Sequence, residues 1–317
     1  MQQCKCGKKA VYFQKYSGRK LCKRCFIDSL EKKVRRTISK HKMFQKDDRI
    51  AFALSGGKDS VALLNILQDI EPKFQKTEMI AVTIDEGIKN YRERAITVAI
   101  ENTSRLGIEH VISSFQELYE ATLDKIIEKA DLKIEKRLAA CTYCGVLRRK
   151  ALNVVARNLN ADVIVTAHNL DDIAQTILIN LIRGDFWRLG RDLSSSKIID
   201  SRMIPRVKPA REIPEKELTL YAYYRELNYH GGSCPYSVEA LRGDIRNFLS
   251  LMEVKRPGTL FTLLKTSEKI SMALQLQSNQ PINLGSCEYC NEPTQRKLCK
   301  VCELLGNLNL LDENKLF

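Results

Sequence analysis

Short apolar runs alternate with stretches of helical periodicity through the central part of the chain. Four runs have the length of β-strands: RIAFAL (49–54), MIAVTI (79–84), HVIS (110–113) and DVIVTA (162–167). Apolar residues recur with helical spacing in other segments, at 61–70, 90–106, 145–158 and 171–183. Strands separated by helices predict an α/β fold with a doubly wound parallel sheet.

Three polar features follow directly on predicted strands. They are the glycine pair Gly56-Gly57, Asp85 and His168. In an open parallel sheet the ligand binds at the carboxyl ends of the strands. We therefore expect these residues at a shared site, although a lone histidine such as His168 is more often a core residue with satisfied hydrogen bonds.

The part of the chain beyond residue 183 has weaker periodicity. Residues 184–217 contain three prolines and predict an irregular connection. Helices are expected at 215–227 and 238–252, around a turn at 229–235.

Charge is distributed unevenly along the chain. The formal net charge is +14, and residues 1–46 carry 15 Lys and Arg against two acidic residues, a net charge of +13. Basic segments bind phosphate-rich partners because their cations release condensed counterions. A solvated, solubility-promoting surface is the alternative. No apolar stretch has the length of a membrane span, and we expect neither such a span nor a secretory signal.

The segment Ser55-Gly56-Gly57-Lys58-Asp59-Ser60 lies between a predicted strand and a predicted helix. Its glycines let the backbone approach a phosphate, and its N–H groups form an anion site with the positive end of the helix dipole. Lys58 adds a charge, while Ser55 and Ser60 add hydroxyl donors. The spacing differs from G-x-x-x-x-G-K-[ST], the loop of many nucleoside triphosphatases. A surface turn is the alternative interpretation.

Eleven cysteines occur in groups of four, three and four. The outer groups are Cys4, Cys6, Cys22 and Cys25, and Cys287, Cys290, Cys299 and Cys302. Paired Cys-x2-Cys knuckles are typical of structural zinc sites. In such a site, four protein ligands fill all coordination positions of the ion. The first pair, Cys4 and Cys6, is one residue tighter than usual. We expect both zinc sites to fold short segments and to present basic side chains such as Lys20, Lys23 and Arg24 to RNA.

The middle group is Cys141, Cys144 and Cys234. Three thiols without a fourth protein ligand fit an iron–sulfur cluster whose fourth iron is open to an exogenous sulfur. We expect a helix N-terminus and the basic residues at 148–150 to lower the pKa of these thiols. Two alternatives stay open: a dithiol redox pair with Cys234 as a buried bystander, and a persulfide relay that uses the thiols directly.

Several of these motifs resemble a known family. SGGKDS after a hydrophobic strand resembles the pyrophosphate loop of the ATP pyrophosphatases, which adenylylate a substrate and release pyrophosphate. CTYCGVLRRKAL and TAHNLDDIAQT are similar to motifs of the tRNA 2-thiouridine synthetases with two zinc ribbons. ILINLIRGDFWRL and CKVCELLGNLN resemble the group within that family that thiolates the wobble uridine. The resemblance extends from the first cysteine quartet to the last.

The resemblance implies a domain organisation and a set of cofactors. An ATP-pyrophosphatase domain at 29–270 would be flanked by zinc ribbons at 1–28 and 271–317. The cofactors would be ATP, Mg²⁺, two Zn²⁺ and a [4Fe-4S] cluster on Cys141, Cys144 and Cys234. The Mg²⁺ would lie near Asp59 and Asp172.

The resemblance also implies ATP contacts. They are the loop residues 55–60, with Ser55 and Asp59 among them, and Ala53, Leu54, Ile84, Ala167 and Asp172. Family members usually have glycine where Ala167 stands. Arg148 occupies the place of a catalytic lysine in the enzymes that act on the T-loop uridine. Because arginine stays charged and cannot act as a base, we expect Arg148 to contact ATP or phosphate. Catalytic roles are expected for the cysteine trio, Asp59 and Asp172.

The expected activity is tRNA uridine 2-sulfurtransfer: adenylylation of uridine O2 by ATP, followed by sulfur insertion at C2 through the cluster. Wobble uridine 34 is the expected target. Alternatives are the T-loop uridine 54, an ATP pyrophosphatase that acts on a small molecule, and a non-enzymatic RNA-binding protein. Expected partners are tRNA, a sulfur donor (sulfide or a ubiquitin-like thiocarboxylate protein) and a second copy in a homodimer, in the cytoplasm.

Overall fold

A parallel sheet of five strands organises the computed structural model, which describes residues 3–70, 77–135, 137–185, 188–189, 200–239, 242–277 and 284–311. The strands are β1 (Tyr12–Gln14), β2 (Arg19–Leu21), β3 (Arg49–Ala53), β4 (Glu78–Asp85), β5 (His110–Ser114), β6 (Val163–Val165), β7 (Arg206–Val207), β8 (Gly285–Ser286) and β9 (Pro293–Thr294). The sheet has the order β5-β4-β3-β6-β7, with every neighbouring pair parallel. The predicted α/β fold is confirmed.

The edge strand β7 is a correction to the sequence prediction. It lies within residues 184–217, which were expected to form an irregular connection, and it pairs with β6 through Ile164↔Arg206 and Val165↔Val207. A strand of two residues is too short to show alternation of apolar and polar positions. Residues 186–187 and 190–199 of the same segment lie outside the described residues.

Helices cover the sheet and extend the chain at both ends. They are α1 (Lys23–His41), α2 (Lys58–Ile70), α3 (Arg92–Leu106), α4 (Phe115–Tyr119), α5 (Leu123–Lys133), α6 (Ala140–Asn158), α7 (Leu170–Ile182), α8 (Glu215–Tyr224), α9 (Arg242–Lys255), α10 (Thr259–Gln277) and α11 (Lys300–Gly306). The helix expected at 238–252 is divided into a 3-10 turn, Pro235–Glu239, and α9. No described helix has the length and apolar character needed to cross a membrane.

The strand order determines where a ligand binds. From β3 the chain builds the sheet through β4 to β5, and it then returns through α6 to β6 on the other side of β3. Connections therefore leave β3 and β6 in opposite directions, which opens a crevice at the carboxyl ends of these two strands. The glycine-rich segment of residues 55–60, called the phosphate loop below, follows β3, and residues 166–169 follow β6, so both line this crevice.

Apolar side chains cover both faces of the sheet. Around Phe52 on one face pack α1, α2 and α8, and around Ile164 on the other pack α5, α6 and the C-terminal segment. Each large apolar side chain that is fully buried, such as Phe52, contributes about 1.5–3 kcal/mol. The two ends of the chain take part in these cores through Phe26 and Cys302, so the cysteine-rich ends pack against the sheet domain.

Candidate active site and metal centres

The phosphate loop is closed by hydrogen bonds between its own residues. The hydroxyl oxygens of Ser55 and Ser60 lie 3.0 Å apart, and Ser60 Oγ donates to the Gly57 carbonyl at 2.8 Å. Gly56 has a φ of +80°, and a Cβ there would lie 2.0 Å from the Ala95 carbonyl oxygen. Glycine at position 56 is therefore required both by the backbone conformation and by the close approach of α3.

Lys58 begins α2 and points toward α8. Its Nζ donates to Glu215 Oε1 at 3.0 Å and to Thr219 Oγ1 at 2.8 Å, and lies 3.6 Å from Asp59 Oδ1. Burial opposes the charge of Lys58, but the carboxylates of Asp59 and Glu215 outweigh it and raise the pKa of the ammonium. The loop lysine is thus fully charged and paired within the chain.

The opposite wall of the crevice is formed by the start of α7. Asn169 caps this helix in a capping box: its side chain accepts from the Asp172 N–H, and Asp172 Oδ2 accepts from the Asn169 N–H at 3.2 Å. Asn169 Nδ2 also donates to Asp59 Oδ2 at 3.3 Å, across the crevice. Burial raises the pKa of Asp59 to about 6, although Lys58 favours its charged form. Arg242 lies 3.5 Å from Asp172.

His168 lies beside this wall, with Nδ1 2.9 Å from Thr166 Oγ1. Partial loss of hydration among its neighbours lowers the pKa of its imidazole to about 4, although much of the side chain is exposed, and the cations Lys208, Arg148 and Arg242 act in the same direction against Asp172. The ring is therefore a neutral hydrogen-bonding group. Its place at the carboxyl end of β6 is the one expected from the sequence.

The cysteine trio combines residues from two parts of the chain. Cys141 and Cys144 lie in the first turns of α6, which begins five residues before the predicted 145. Cys234 precedes the 3-10 turn that packs on α6, and Cys141 Sγ lies 3.7 Å from the Tyr236 carbonyl oxygen. Cys141 is exposed, and the other two thiols are partly buried.

The pKa values of two trio thiols correct the sequence expectation of lowered values. Burial raises the pKa of Cys144 to about 11, although the Arg148 guanidinium favours the thiolate. Burial also raises the pKa of Cys234. The basic residues are present as expected, but for these thiols the loss of hydration has the larger effect.

A short backbone contact joins the phosphate loop to the trio. The His230 N–H donates to the Gly56 carbonyl at 2.9 Å, four residues before Cys234. The His230 ring meets Tyr91 edge to face, with ring centroids 5.2 Å apart. Neither His230 nor Tyr91 was singled out from the sequence, because neither belongs to a motif with a chemical role.

Two buried charged residues at the loop were also missed. Glu86 follows β4 and forms salt bridges with Arg92, at 2.6 Å, and with Arg148, at 3.2 Å. Arg92 donates to the carbonyl oxygens of Ser55 and Ile84. No spacing rule connects residues 86, 92 and 148, so only the fold brings them together.

The outer cysteines form two tight groups. The sulfurs of Cys4, Cys6, Cys22 and Cys25 lie within 4.8 Å of one another, as do those of Cys287, Cys290, Cys299 and Cys302. A tetrahedral ion about 2.3 Å from each sulfur requires this spacing. Within the described part of the chain, the trio thiols are not gathered so closely. A four-iron cluster is wider than a single ion, so this wider spacing suits a cluster.

Comparison with known proteins agrees with this geometry. The PP-loop domain family matches residues 28–252, and the N-terminal LIM domain of the 2-thiouridine synthetase TtuA matches residues 3–27. The chain is 36% identical to the tRNA 2-thiolation protein NcsA of Haloferax volcanii, over 97% of this chain and 99% of that protein. The chain belongs to the tRNA 2-thiolation family of PP-loop proteins.

Other family members give the same result. The cytoplasmic tRNA 2-thiolation protein 1 of Aspergillus niger is 35% identical over 95% of this chain and 86% of that protein. The U34-tRNA thiolase NcsA from Methanococcus maripaludis, solved with its [4Fe-4S] cluster, is 33% identical. It superposes with a TM-score of 0.85 over 100% of this chain and 99% of that chain. The predicted family resemblance is confirmed.

In this tRNA 2-thiolation family member, the C-terminal quartet is docked on the helix that carries the trio. Lys150 Nζ lies 3.1 Å from Cys290 Sγ, and Arg157, also on α6, pairs with Glu292. Arg202 Nη1 donates to the Asn291 carbonyl at 2.7 Å. The helix α6 therefore carries two of the trio thiols and contacts the C-terminal cysteine quartet.

The remaining residues expected to contact ATP lie at strand ends around the crevice. Ala53 ends β3 and is followed by Leu54, whose N–H donates to the Val82 carbonyl at 2.9 Å. Ile84 lies one residue before the end of β4, and Ala167 follows β6. The structure thus brings the expected residues to one edge of the sheet, and their roles in ATP binding stay predictions.

Proposed function

We propose that the protein is a tRNA uridine 2-sulfurtransferase that acts on wobble uridine 34. Uridine O2 attacks the α-phosphate of ATP and pyrophosphate leaves; sulfur then replaces the activated oxygen at C2 and AMP leaves. One observation carries the proposal: the phosphate loop and the cysteine trio share one edge of the sheet, and the segment 230–234 contacts the loop at one end and supplies Cys234 at the other.

ATP binding is assigned to the crevice between β3 and β6. The loop N–H groups and the positive end of α2 attract the phosphates. Carboxylate oxygens are ligands that Mg²⁺ prefers, and Asp59 and Asp172 are both linked to Asn169. Asp59 and Asp172 would hold a magnesium ion here, which would offset charge that develops on the phosphates and would favour the ionised form of Asp59.

Cys141, Cys144 and Cys234 are assigned as ligands of a [4Fe-4S] cluster. Their wider spacing and partial exposure fit this group better than a single ion. When bound, the cluster supplies an iron without a protein ligand, at which the sulfur atom is carried. The relative solved with a [4Fe-4S] cluster supports the assignment.

We assign tRNA binding to the basic N-terminal segment. Lys20, Lys23 and Arg24 are exposed next to Cys22 and Cys25.

We assign zinc to both cysteine quartets. We assign domain limits of 1–28, 29–270 and 271–317. The target base leaves its stack to reach the crevice, as bases in single-stranded loops do. The proposed setting is the cytoplasm, with a homodimer and a sulfur donor that is sulfide or a ubiquitin-like thiocarboxylate protein.

Replacement of Cys234 tests the function. In Cys234→Ala, we expect anaerobic thiolation of tRNA to fall by at least about 100-fold, since the trio loses one of three ligands. The 2-thiouridine formed is quantified by mass spectrometry of digested tRNA. Ser233→Ala is the matched control, because Ser233 is the exposed neighbour in the same segment, and it should leave the yield unchanged. Undiminished thiolation in Cys234→Ala would contradict the proposal.

The same assay separates the alternatives. Fragments that contain position 34 or position 54 are isolated from the product tRNA, and the thiolated one identifies the target. An enzyme for a small molecule would exchange ATP with labelled pyrophosphate at full rate without RNA. A protein that only binds RNA would retain its function in Asp59→Ala, whereas we expect that variant to lose thiolation.

A further inference from the structure

One buried carboxylate connects the phosphate loop to the cysteine trio. Glu86 directly follows β4 and is 3% exposed. Its Oε2 lies 2.6 Å from Nε of Arg92, and its Oε1 lies 3.2 Å from Nη1 of Arg148. A buried charge needs close partners because the loss of hydration is costly. Here two guanidinium groups share one carboxylate.

Arg92 makes the connection to the phosphate loop. It is the first residue of α3 and is 5% exposed. Its Nη2 donates to the Ile84 carbonyl at 2.7 Å and its Nη1 to the Ser55 carbonyl at 3.1 Å. Because the guanidinium is planar and has five donors, it holds the start of the loop against the end of β4 while its positive charge lies against Glu86 as an ion pair. A lysine cannot make these three contacts together.

Arg148 makes the connection to the trio. It follows Cys144 by four residues and Cys141 by seven on α6, and these spacings place the three side chains on one face of the helix. Arg148 therefore lies on the helix face that carries two of the trio thiols, and it pairs with the Glu86 carboxylate at 3.2 Å.

We propose that Glu86 is a positioning residue that fixes the phosphate loop and the cysteine-bearing helix relative to each other, through Arg92 on one side and Arg148 on the other. The inference rests on the proposed function, because it takes the trio as the cluster site. A transfer between two centres depends on their separation, and an error of about 1 Å is costly in rate. Glu86 keeps this separation constant.

The charges of Glu86 and Arg148 predict changes in the reduction potential of the cluster that a loss of stability alone would not produce. Removal of the Glu86 charge makes the surroundings of the trio more positive, which favours the reduced, more negative form of a cluster. Glu86→Gln should therefore raise the reduction potential, and Arg148→Gln should lower it. A variant that only loosens the fold has no reason to give opposite signs at these two positions.

The test uses the full chain with its cluster reconstituted under anaerobic conditions. The reduction potential is measured by redox titration with electron paramagnetic resonance, and ATP affinity by calorimetry with a non-hydrolysable analogue. In Glu86→Gln we expect a raised potential and ATP binding about ten-fold weaker, and in Arg92→Lys a similar loss of ATP binding. Glu86→Asp keeps the charge, so it should retain the wild-type potential while ATP binding weakens. It also provides a second variant if Glu86→Gln fails to fold.

Glu268→Gln is the matched control. Glu268 on α10 pairs with buried Arg211 at 3.1 Å, and among the described residues its ion-pair partner belongs to neither the loop nor the trio, so its replacement should change neither readout. The inference is overturned if Glu86→Gln has wild-type ATP affinity and potential, or a lowered potential. A wild-type protein without a four-iron spectrum would contradict the proposed function and remove the premise of the inference.

Discussion

His168 lies at the end of β6 beside three cations and one carboxylate, with much of its side chain exposed to solvent. Its pKa is lowered to about 4 in the folded chain and is 6.5 for an unperturbed imidazole. Between these values the folded chain binds fewer protons than the unfolded chain, so stability is lost as the pH falls from 6.5 toward 4. Because solvent screens an exposed group, the contribution of His168 between pH 7.5 and pH 5 is at most about 1 kcal/mol.

His168→Gln should remove this part of the pH dependence. The variant is expected to lose less stability than the wild type, by at most about 1 kcal/mol, when the pH is lowered from 7.5 to 5, because glutamine does not titrate. The free energy of unfolding is measured by urea titration at both pH values. The difference between the two pH values is the readout, so a constant effect of the substitution cancels. Equal losses in both proteins would show that His168 is not held neutral.

At the scale of residues, the sequence predicts the site residues that belong to recognisable motifs. It does not predict residues whose role depends on contacts between distant parts of the chain. Asp59 and Asp172 were expected near each other, and Asn169 links them. Glu86 and Arg92 carry no signature of their own, because an ion pair is defined by contact in three dimensions. The pKa of Cys144 was mispredicted for the same reason: the sequence shows nearby cations but not the burial that opposes them.

At the scale of elements, the phosphate loop depends on the packing of α3 against it. Gly56→Ala should destabilise the protein by about 3 kcal/mol or more, because the positive φ is strained and the new Cβ would meet the Ala95 carbonyl oxygen at 2.0 Å. The free energy of unfolding is measured by denaturant titration, and ATP binding by calorimetry. We expect the variant to bind ATP at least about ten-fold more weakly.

Gly107→Ala is the control for the backbone strain alone. Gly107 ends α3 with a φ of +66°, and no atom lies within 4 Å of a Cβ placed there. This substitution should cost about 1 kcal/mol and leave ATP binding unchanged. Equal destabilisation by both substitutions would mean that the close approach of Ala95 has no energetic effect.

The elements of the sheet were predictable because their patterns are strong. The runs that form β3, β4 and β6 are buried on both faces and are almost continuously apolar. By contrast, α4 has five residues, too few for a helical period, and its capping box of Ser114 and Glu117 was not recognised. The start of α6 was placed late because Cys141 and Cys144 have no strong helix propensity.

At the scale of the whole molecule, positive charge is concentrated in the N-terminal segment. Replacement of Lys20, Lys23 and Arg24 by alanine should weaken tRNA binding and reduce the slope of log K against log salt by about 2 to 3, if each contacts one phosphate. Binding is measured by fluorescence anisotropy between low and moderate salt. Replacement of the lysines of α5, Lys125, Lys129 and Lys133, removes the same net charge and should leave the slope unchanged. Equal slopes in wild type and N-terminal variant would contradict this role.

The pairing of Lys58 with Glu215 and Thr219 has a consequence for ligand selection in the cell. An anion that recruits this lysine must compete with a carboxylate that already holds it. Inorganic phosphate has one small anionic group for this exchange, whereas a triphosphate also occupies the N–H groups of the loop and the start of α2. If the loop binds ATP as proposed, we expect free phosphate to compete poorly for Lys58.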